Sequence, residues 1–529
     1  MRRTKTSRNP RRQALTWMAT LLLAGSAAAG CSTSSGVGPT DTGRVDNTEV
    51  GPDTTGPDAA SHPFAEETFQ SRENPAYHAV DCGKPRTLTF AEGWELLSIT
   101  GTGKEPAPTS TATSIDLPAG DRGYEITTAH DGRTSKIMLR CLPEHFPKIE
   151  LTGTMSGWTA LTTMSTEPNR PGYRIILDSS GFPIWFKETA GSLADFTVVD
   201  GNLLTFTPGR RSIESFTNAT DKGFHLETLN GETITSWVPR DGDGLDNHAA
   251  AVLPNGNLLG LVYELSATPL RTERTLPGAP QQNVERCPDA APTAKTKTLR
   301  GRVVEVTPTG EVVRTWRYEE NVTAAASSPE WVNIGDKTRQ ECVVDIEHLN
   351  GLAYYPGTDG EGRVLLTGRH VDGAVMFGWP SGKVQWRIGG TEGRDSLVIA
   401  EDPTGGPWHP HDANLLDDKH LVLFDNRANG ETSRAVVYRI DMAKRTAELL
   451  ESYSTTCGQG PCASFAMGSA RPTADNTRIL VGWGASPVTA SEFERNNPKP
   501  VAELRMEQTW AYRVLPIPTG DPATYFYAG

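Results

Sequence analysis

Two patterns of apolar and polar positions recur along most of this chain. The first is a strand, a turn with Gly, then a strand ending in Trp. It occurs as "IILDSSGFPIWF" (Trp185), "LETLNGETITSWV" (Trp237), "VVEVTPTGEVVRTWRY" (Trp316) and "MFGWPSGKVQWRIGG" (Trp386). A fifth copy, "VVYRIDMAKRTAELLESY", lacks the Trp. Each copy reads as a β-hairpin. The second pattern is a polar lead, a strand, a turn and another apolar strand. It occurs as "ADFTVVDGNLLTF", "NHAAAVLPNGNLLGLV", "EHLNGLAYYPGTDGEGRVLLTGRH", "HDANLLDDKHLVLFDN" and "SARPTADNTRILVGWG". Helical periodicity is almost absent.

Four strands per unit, repeated in the same order every 50 to 80 residues or so, predict an all-β chain built as a β-propeller. The space from Thr152 to Pro516 fits about six blades, and "QTWAYRVLP" reads as a strand closing the ring against the first. A pair of large β-sandwiches would not require one element order throughout. The four Trp residues read as packing between blades. Before the repeat, from His78 to about Pro147, shorter alternating segments such as "RTLTFAEGWELLSI" and "TSKIMLRCL" predict a small N-terminal β-sandwich-like domain. The expected organisation is therefore a signal peptide over 1–30, a flexible tether over 31–72, the small β-domain over 73–150 and the six-bladed propeller over 151–529.

The chain ends and the charge refine this picture. Met1 to Arg12 carries six basic residues and no acid, and Ala14 to Ala29 is mostly apolar but short for a lasting membrane span. It closes on Ala28-Ala29-Gly30-Cys31, which resembles a bacterial lipobox and predicts lipidation of Cys31. Ser32 to Pro63 is rich in Gly, Pro, Ser, Thr and Asp and reads as a tether. The expectation is an exported lipoprotein, held to a membrane only by its lipid, at the periplasmic face or cell surface. Without its first thirty residues the chain loses six positive charges, and its formal net charge moves from −13 to −19. A body this acidic argues against nucleic acid as a partner. Six cysteines remain after Cys31. Order along the chain suggests Cys82–Cys141, Cys287–Cys342 and Cys457–Cys462, among fifteen possible pairings. No metal site is expected, because the chain has no CxxC pair and no His at ligand spacing beside a Cys.

Candidate chemistry emerges when the second elements are aligned on their last strand. His248 lies ten residues before Leu258, His411 ten before Leu421 and Ser469 ten before Ile479. His348 takes the same place ahead of a longer turn, and the first unit has Leu193 there. Equivalent positions in successive blades point the same way, so His248, His348, His411 and Ser469 should converge. "LLTGRH" sets Arg369 at the end of the strand after His348. An Arg among histidines suits an oxyanion. Asp412 is expected to serve packing, since neighbours on a strand face opposite ways. His225, His370, His409 and His420 are read as structural or exposed.

The motifs "HAAAVLPNGNLL", "HLNGLAY", "LLTGRHVDGAV", "GKVQWRIGG", "HPHDANLL" and "LFDNRANGETSRAVVYRID" resemble those of bacterial arylsulfate sulfotransferases, from about Gly172 to Val514. The resemblance implies sulfuryl transfer from a phenolic sulfate ester to a phenol, by a ping-pong route through a sulfohistidine, with no nucleotide donor, cofactor or metal. It implies His411 as nucleophile, His248, His348 and Arg369 as its catalytic neighbours, and Asn350 and Ser469 as substrate-binding residues. The partners it implies are a small aryl sulfate and a phenol, and it leaves a homo-oligomer open. The chain departs from the pattern in the insertion from about Ser266 to Arg300, in "DIEH" before His348, and in the N-terminal domain. The competing functions are a quinone-dependent dehydrogenase, whose Glu, Asn and Asp cation site this repeat does not present, a propeller that binds an anionic ligand without turnover, and a sulfate ester hydrolase.

Overall fold

The computed structural model describes residues 62–102, 106–189, 196–207, 222–266, 297–322, 328–333, 342–390, 395–427 and 431–527. Cys31, Leu193 and Cys287, and with them the signal and lipidation readings, lie outside the described residues.

The chain is all-β, and its described residues include two short helices, Tyr318–Asn321 and Pro522–Phe526. None of the described helices is long and apolar enough to cross a membrane. After the N-terminal strands come six sheets in chain order, each built on four antiparallel strands. The first takes Trp158–Ser165, Gly172–Leu177 and Pro183–Thr189 from its own stretch, and Thr509–Ile517 from the far end of the chain. The second runs from Phe196–Val199 to Thr233–Trp237, the third from Ala250–Val252 to Val312–Arg317, and the fourth from Leu349–Tyr355 to Val384–Gly389. The fifth runs from His411–Asp417 to Thr446–Tyr453, and the sixth from Ser469–Pro472 to Pro500–Met506. The third sheet also gains Glu330–Asn333 and Cys342–Asp345, from the connection that follows its hairpin.

Apolar side chains join each sheet to the next. Trp185 packs with Phe196 and Leu203, Trp237 with Leu245 and Leu258, and Trp316 with Leu366 and Phe377. Trp386 packs with Leu421 and Tyr438, Tyr453 with Val481 and Phe493, and Leu480 and Leu504 with Leu161 and Ile175. That last cluster joins the sixth sheet to the first. Three of the repeated Trp residues also donate Nε1–H to a turn of the following sheet. Trp185 bonds Leu229 O at 3.3 Å, Trp237 bonds Gly256 O at 3.0 Å and Trp316 bonds Gly382 O at 2.9 Å. One residue type at one repeat position thus fills an intersheet gap and satisfies its polar atom there. At the hairpin turn of the third sheet, Gly310 has φ 83°, and a Cβ would stand 2.5 Å from Val238 O, so glycine is required.

The N-terminal strands form a five-stranded sheet in the order Phe69–Gln70, Tyr77–Asp81, Arg133–Leu142, Arg122–His130, Trp94–Gly101, and a three-stranded sheet of Arg86–Thr89, Ser114–Leu117 and Thr109–Ser110. The two share a core of Val80, Leu88, Ile115, Leu117, Tyr124, Ile126 and Leu139. Phe64 is buried in that core and bridges Phe90, so the folded chain begins before residue 73, where the sequence reading started it. The misplacement has a simple cause: one apolar residue beside a Pro- and Ser-rich tract gives no periodicity to read.

Two of the expected disulfides are present, Cys82–Cys141 and Cys457–Cys462. Cys342 is disulfide-bonded as well, and its expected partner lies outside the described residues. Cys82–Cys141 spans 59 residues and sits inside the core between the two N-terminal sheets. Replacing both with Ala is expected to cost about 2–5 kcal/mol of stability, read as a lower denaturation midpoint for the N-terminal strands.

Candidate active site

The four aligned positions lie at the same end of the first strands of four successive sheets. His248 stands two residues before Ala250–Val252, and His348 directly before Leu349–Tyr355. His411 and Ser469 open His411–Asp417 and Ser469–Pro472. Pairing of Leu349 with Gly368 brings the end of the next strand back beside His348, and Arg369 N–H donates to His348 O at 2.9 Å. The His248 and His348 rings are 5.1 Å apart at 80°, in edge contact. Arg369 and both of these histidines act electrostatically on His411. His248, His348, His411 and Arg369 therefore form one group.

The group extends to two histidines that the sequence reading set aside as structural or exposed. His370 is buried 4.8 Å from His348, and buried His409 lies 6.0 Å from His370. Arg369 donates through Nη1 to Glu330 Oε1 at 2.6 Å and to His370 Nε2 at 2.7 Å. Because His370 accepts at Nε2, its proton is on Nδ1, which donates to Asp345 O at 3.0 Å. His409 bonds Ser328 Oγ at 3.0 Å through Nε2, while its Nδ1 is buried without a partner. His348, His409 and Asp412 all have positive φ, a conformation uncommon outside glycine and less so for His and Asp.

Each of the three aligned histidines offers Nδ1 to an acceptor. His248 bonds Asp246 Oδ1, His348 bonds Asp345 Oδ2 at 2.6 Å, and His411 bonds Asn426 Oδ1 at 2.6 Å. The Asn426 amide is itself oriented, since Nδ2 donates to Ser464 O at 3.1 Å and to Met467 O at 2.9 Å. Its Oδ1 must therefore face His411, which donates from Nδ1 and keeps the Nε2 lone pair.

Burial, and after it the charge of Arg369, holds the His411 imidazole well below the ordinary histidine range. Burial pushes His348 down to about 4 against the pull of Asp345. His409 falls to about 2 through burial and the charge of Arg369. Burial alone would raise Glu330, but His370 and Arg369 outweigh it and hold the carboxylate ionised. Asp345 is likewise kept low, its burial outweighed by His348 and His370. The result is neutral imidazoles between ionised carboxylates and one guanidinium.

The two expected substrate-binding residues are differently placed. Asn350 is fully buried. Its Nδ2 donates to Pro410 O at 2.9 Å, next to His411, and its Oδ1 has no partner. Ser469 is also fully buried, and both bonds of its Oγ go to the Val514 backbone, one to O and one from N, each at 3.0 Å. Its hydroxyl clamps the sixth sheet to the closing strand instead of facing the histidines. The reason is register: the strand that fills the first-strand place in the first sheet passes directly beside Ser469. Asp412 accepts from Arg471 at 2.6 and 2.8 Å and lies 3.5 Å from Arg513, linking the fifth, sixth and first sheets. Asp345, His348 and His370 bring one donor atom each within 4.8 Å of one another, close enough to hold a metal ion. Both imidazoles direct Nδ1 at Asp345 in hydrogen bonds, His348 to the carboxylate and His370 to the backbone carbonyl, so the observed geometry is that of one residue orienting two rings.

Sequence reasoning missed Asp246, Asp345, Asn426, Glu330, His370 and His409. For the first two a signal existed: an Asp two or three residues before an aligned His. Asn426 and Glu330 come from other strand ends and carry no local signal.

Two outcomes follow. Ser469→Ala is expected to cost about 1–3 kcal/mol of stability, measured by denaturant unfolding, with substrate KM unchanged. Stability is also expected to fall as pH drops from 7 to 5. The unfolded chain takes up protons near 6.5 that buried His348, His409 and His411 refuse, at roughly 1–2 kcal/mol per histidine by pH 5. Glu347, pushed up to about 7 by burial, opposes this, because it gains a proton in the folded state first. Three histidines outweigh one carboxyl, and a chemical denaturation series across this pH range reads the net loss.

Residues 281–513 match the model of the arylsulfotransferase (ASST) family. The match includes His348, Asn350, Arg369, His411 and Asn426, while His248 precedes it. No curated protein matches the chain. Among solved structures, it is similar to a functionally unknown protein from Desulfotomaculum acetoxidans, at 10% identity over 71% of this chain and 92% of the other, with a TM-score of 0.32. It is similar to a quinonprotein alcohol dehydrogenase-like protein from Bacteroides thetaiotaomicron, at 8% identity over 83% and 96%, with a TM-score of 0.29. It is also similar to the β-propeller domain of the Trilobed protease from Pyrococcus furiosus, at 10% identity over 78% and 97%, with a TM-score of 0.26. Likenesses this remote bear no weight for function. Residues 281–513, which supply most of the site, are thus the part of the chain that is similar to the arylsulfotransferase family.

Proposed function

We propose that this protein transfers a sulfuryl group from a phenolic sulfate ester to a phenol, through a sulfohistidine at His411. The observation that carries the reading is the His411 ring: buried, neutral, held at Nδ1 and open at Nε2, with Arg369 acting on it. A neutral imidazole is a competent nucleophile, whereas an imidazolium has no lone pair.

In the first half-reaction His411 Nε2 attacks sulfur. The N–S bond forms, the S–O bond to the aryl oxygen breaks, and the phenolate leaves with the electron pair. Nε and Nη2 of Arg369 have no partner among the described residues, so they remain to receive sulfuryl oxygens. Glu330 and His370 hold Nη1 of the same guanidinium and fix its plane. His348 and His248 are each oriented by a carboxylate at Nδ1, which leaves Nε2 of a neutral ring as a base. In the second half-reaction an acceptor phenol oxygen attacks sulfur, the N–S bond breaks, and a neighbouring imidazole takes the phenol proton. The site so read lies in a six-bladed propeller behind a small N-terminal β-domain, a proposal supported by the six successive sheets and the six apolar clusters that link them. The same proposal includes export and a lipid at Cys31, for which residues 1–31 argue.

The test is intact-protein mass after brief incubation with a chromogenic phenyl sulfate and no acceptor, in alkaline quench. One added sulfuryl group, discharged by phenol and absent in His411→Ala, is the expected result. Turnover is expected to persist below pH 6, since His411 stays neutral there. Full activity in His411→Ala would remove the nucleophile from the scheme.

A further inference from the structure

Three histidines in this site share one device and differ in one atom. Each is aimed by an Asx side chain at Nδ1, but Asp246 and Asp345 are carboxylates, while Asn426 is an amide. A carboxylate at Nδ1 stabilises the imidazolium and so favours a proton on Nε2. An amide oxygen fixes the same ring orientation and the same tautomer without that charge. Only the ring beside the amide keeps a lone pair on Nε2 without an anion drawing a proton to it.

We infer that Asn426 is a positioning residue that makes His411 the nucleophile, by holding its proton on Nδ1 while adding no negative charge, and that the loop closed by Cys457–Cys462 holds Asn426 in that role. This rests on the sulfuryl-transfer reading of the site.

The support around Asn426 is continuous and buried. Asn426 is fully buried, and two carbonyls of the segment that follows the Cys457–Cys462 loop, Ser464 O and Met467 O, accept its Nδ2 hydrogens. An amide turned over would set oxygen against two carbonyl oxygens and NH2 against the ring N–H. Ser433 Oγ donates to Asn426 O at 2.6 Å and accepts from Ser464 N at 2.7 Å. Ser433 N donates to Cys462 O at 3.0 Å, and Cys462 is bonded to Cys457. The segment after the loop is also anchored by Ala485 N, which donates to Ser464 Oγ at 3.1 Å. The staple thus connects to the nucleophile through one serine and one asparagine.

Nearby charges do not duplicate the effect. Those acting on His411 are Arg369, His348 and His248. Asp425, next to Asn426, directs its carboxylate to Trp408 N at 2.8 Å and Arg434 Nε at 2.9 Å. Asp412, next to His411, is held by Arg471 and Arg513.

The experiment pairs kinetics with nitrogen-15 NMR of histidine side chains in the full mature chain, the His411 signal being identified by its loss in His411→Gln. Wild type is expected to show His411 protonated on Nδ1. Asn426→Leu is expected to lose that single tautomer and about 100-fold or more in kcat, with KM for the aryl sulfate within about threefold. Asn426→Asp keeps the acceptor but adds charge, and is expected to move the acid limb of kcat/KM up by about one pH unit. A residue that merely packs would lower stability in both variants and move neither the tautomer nor the limb. Either an Nε2–H tautomer in wild type, or an unmoved limb in Asn426→Asp, overturns the inference, and the wild-type spectrum decides even where a variant fails to fold. A wild type with the expected tautomer and no aryl sulfate turnover would instead overturn the proposed function.

Discussion

One strand, Thr509–Ile517, holds the site together. It pairs with Trp158–Ser165 from the opposite end of the sheet array and takes the place that a first strand takes in the other five sheets. From that place it reaches four elements of the site. Tyr512 Oη donates to His248 O at 3.2 Å, and Arg513 Nη2 donates to Asn350 O at 2.5 Å. Arg513 also faces Asp412 beside His411, and the Val514 backbone clamps Ser469. Each is a bond to a backbone or to a buried carboxylate, so each fixes a strand end in place. Buried bonds of this kind are worth little individually, but an unmade partner is costly, which is why strand ends so held have one arrangement.

That rigidity allows the chemistry to rest on small differences. His348 and His411 are held neutral by burial, His411 also by the guanidinium, and Glu330 and Asp345 stay ionised because they face His370, with Arg369 acting on Glu330 and His348 on Asp345. Glu330 and Asp345 each face a partner that carries or donates a proton. In such a setting the choice of Asp or Asn at a single Nδ1 contact changes what the ring can do, although the geometry is the same. A looser site would let water equalise the three rings.

The supporting structure follows the same economy of means. The repeated Trp fills the gap between sheets and bonds a turn in the next one. Asp412, adjacent in sequence to His411, ties three sheets by two arginines.

The sequence alone determined the strand order, the repeat, two disulfide pairings and the convergence of His248, His348 and His411, because each of these is periodic: a fixed position in a repeated element must recur at a fixed place in space. It also marked Arg369, which ends the strand paired with the one His348 precedes. It could not place Asn426, Glu330 or His370 in the site, nor show that the Ser469 hydroxyl is occupied by Val514. Those contacts join strand ends distant in sequence, and they depend on which side chain a neighbouring sheet turns toward a buried ring. Only tertiary packing decides that, since one local motif can present the same residue to a substrate or to a backbone.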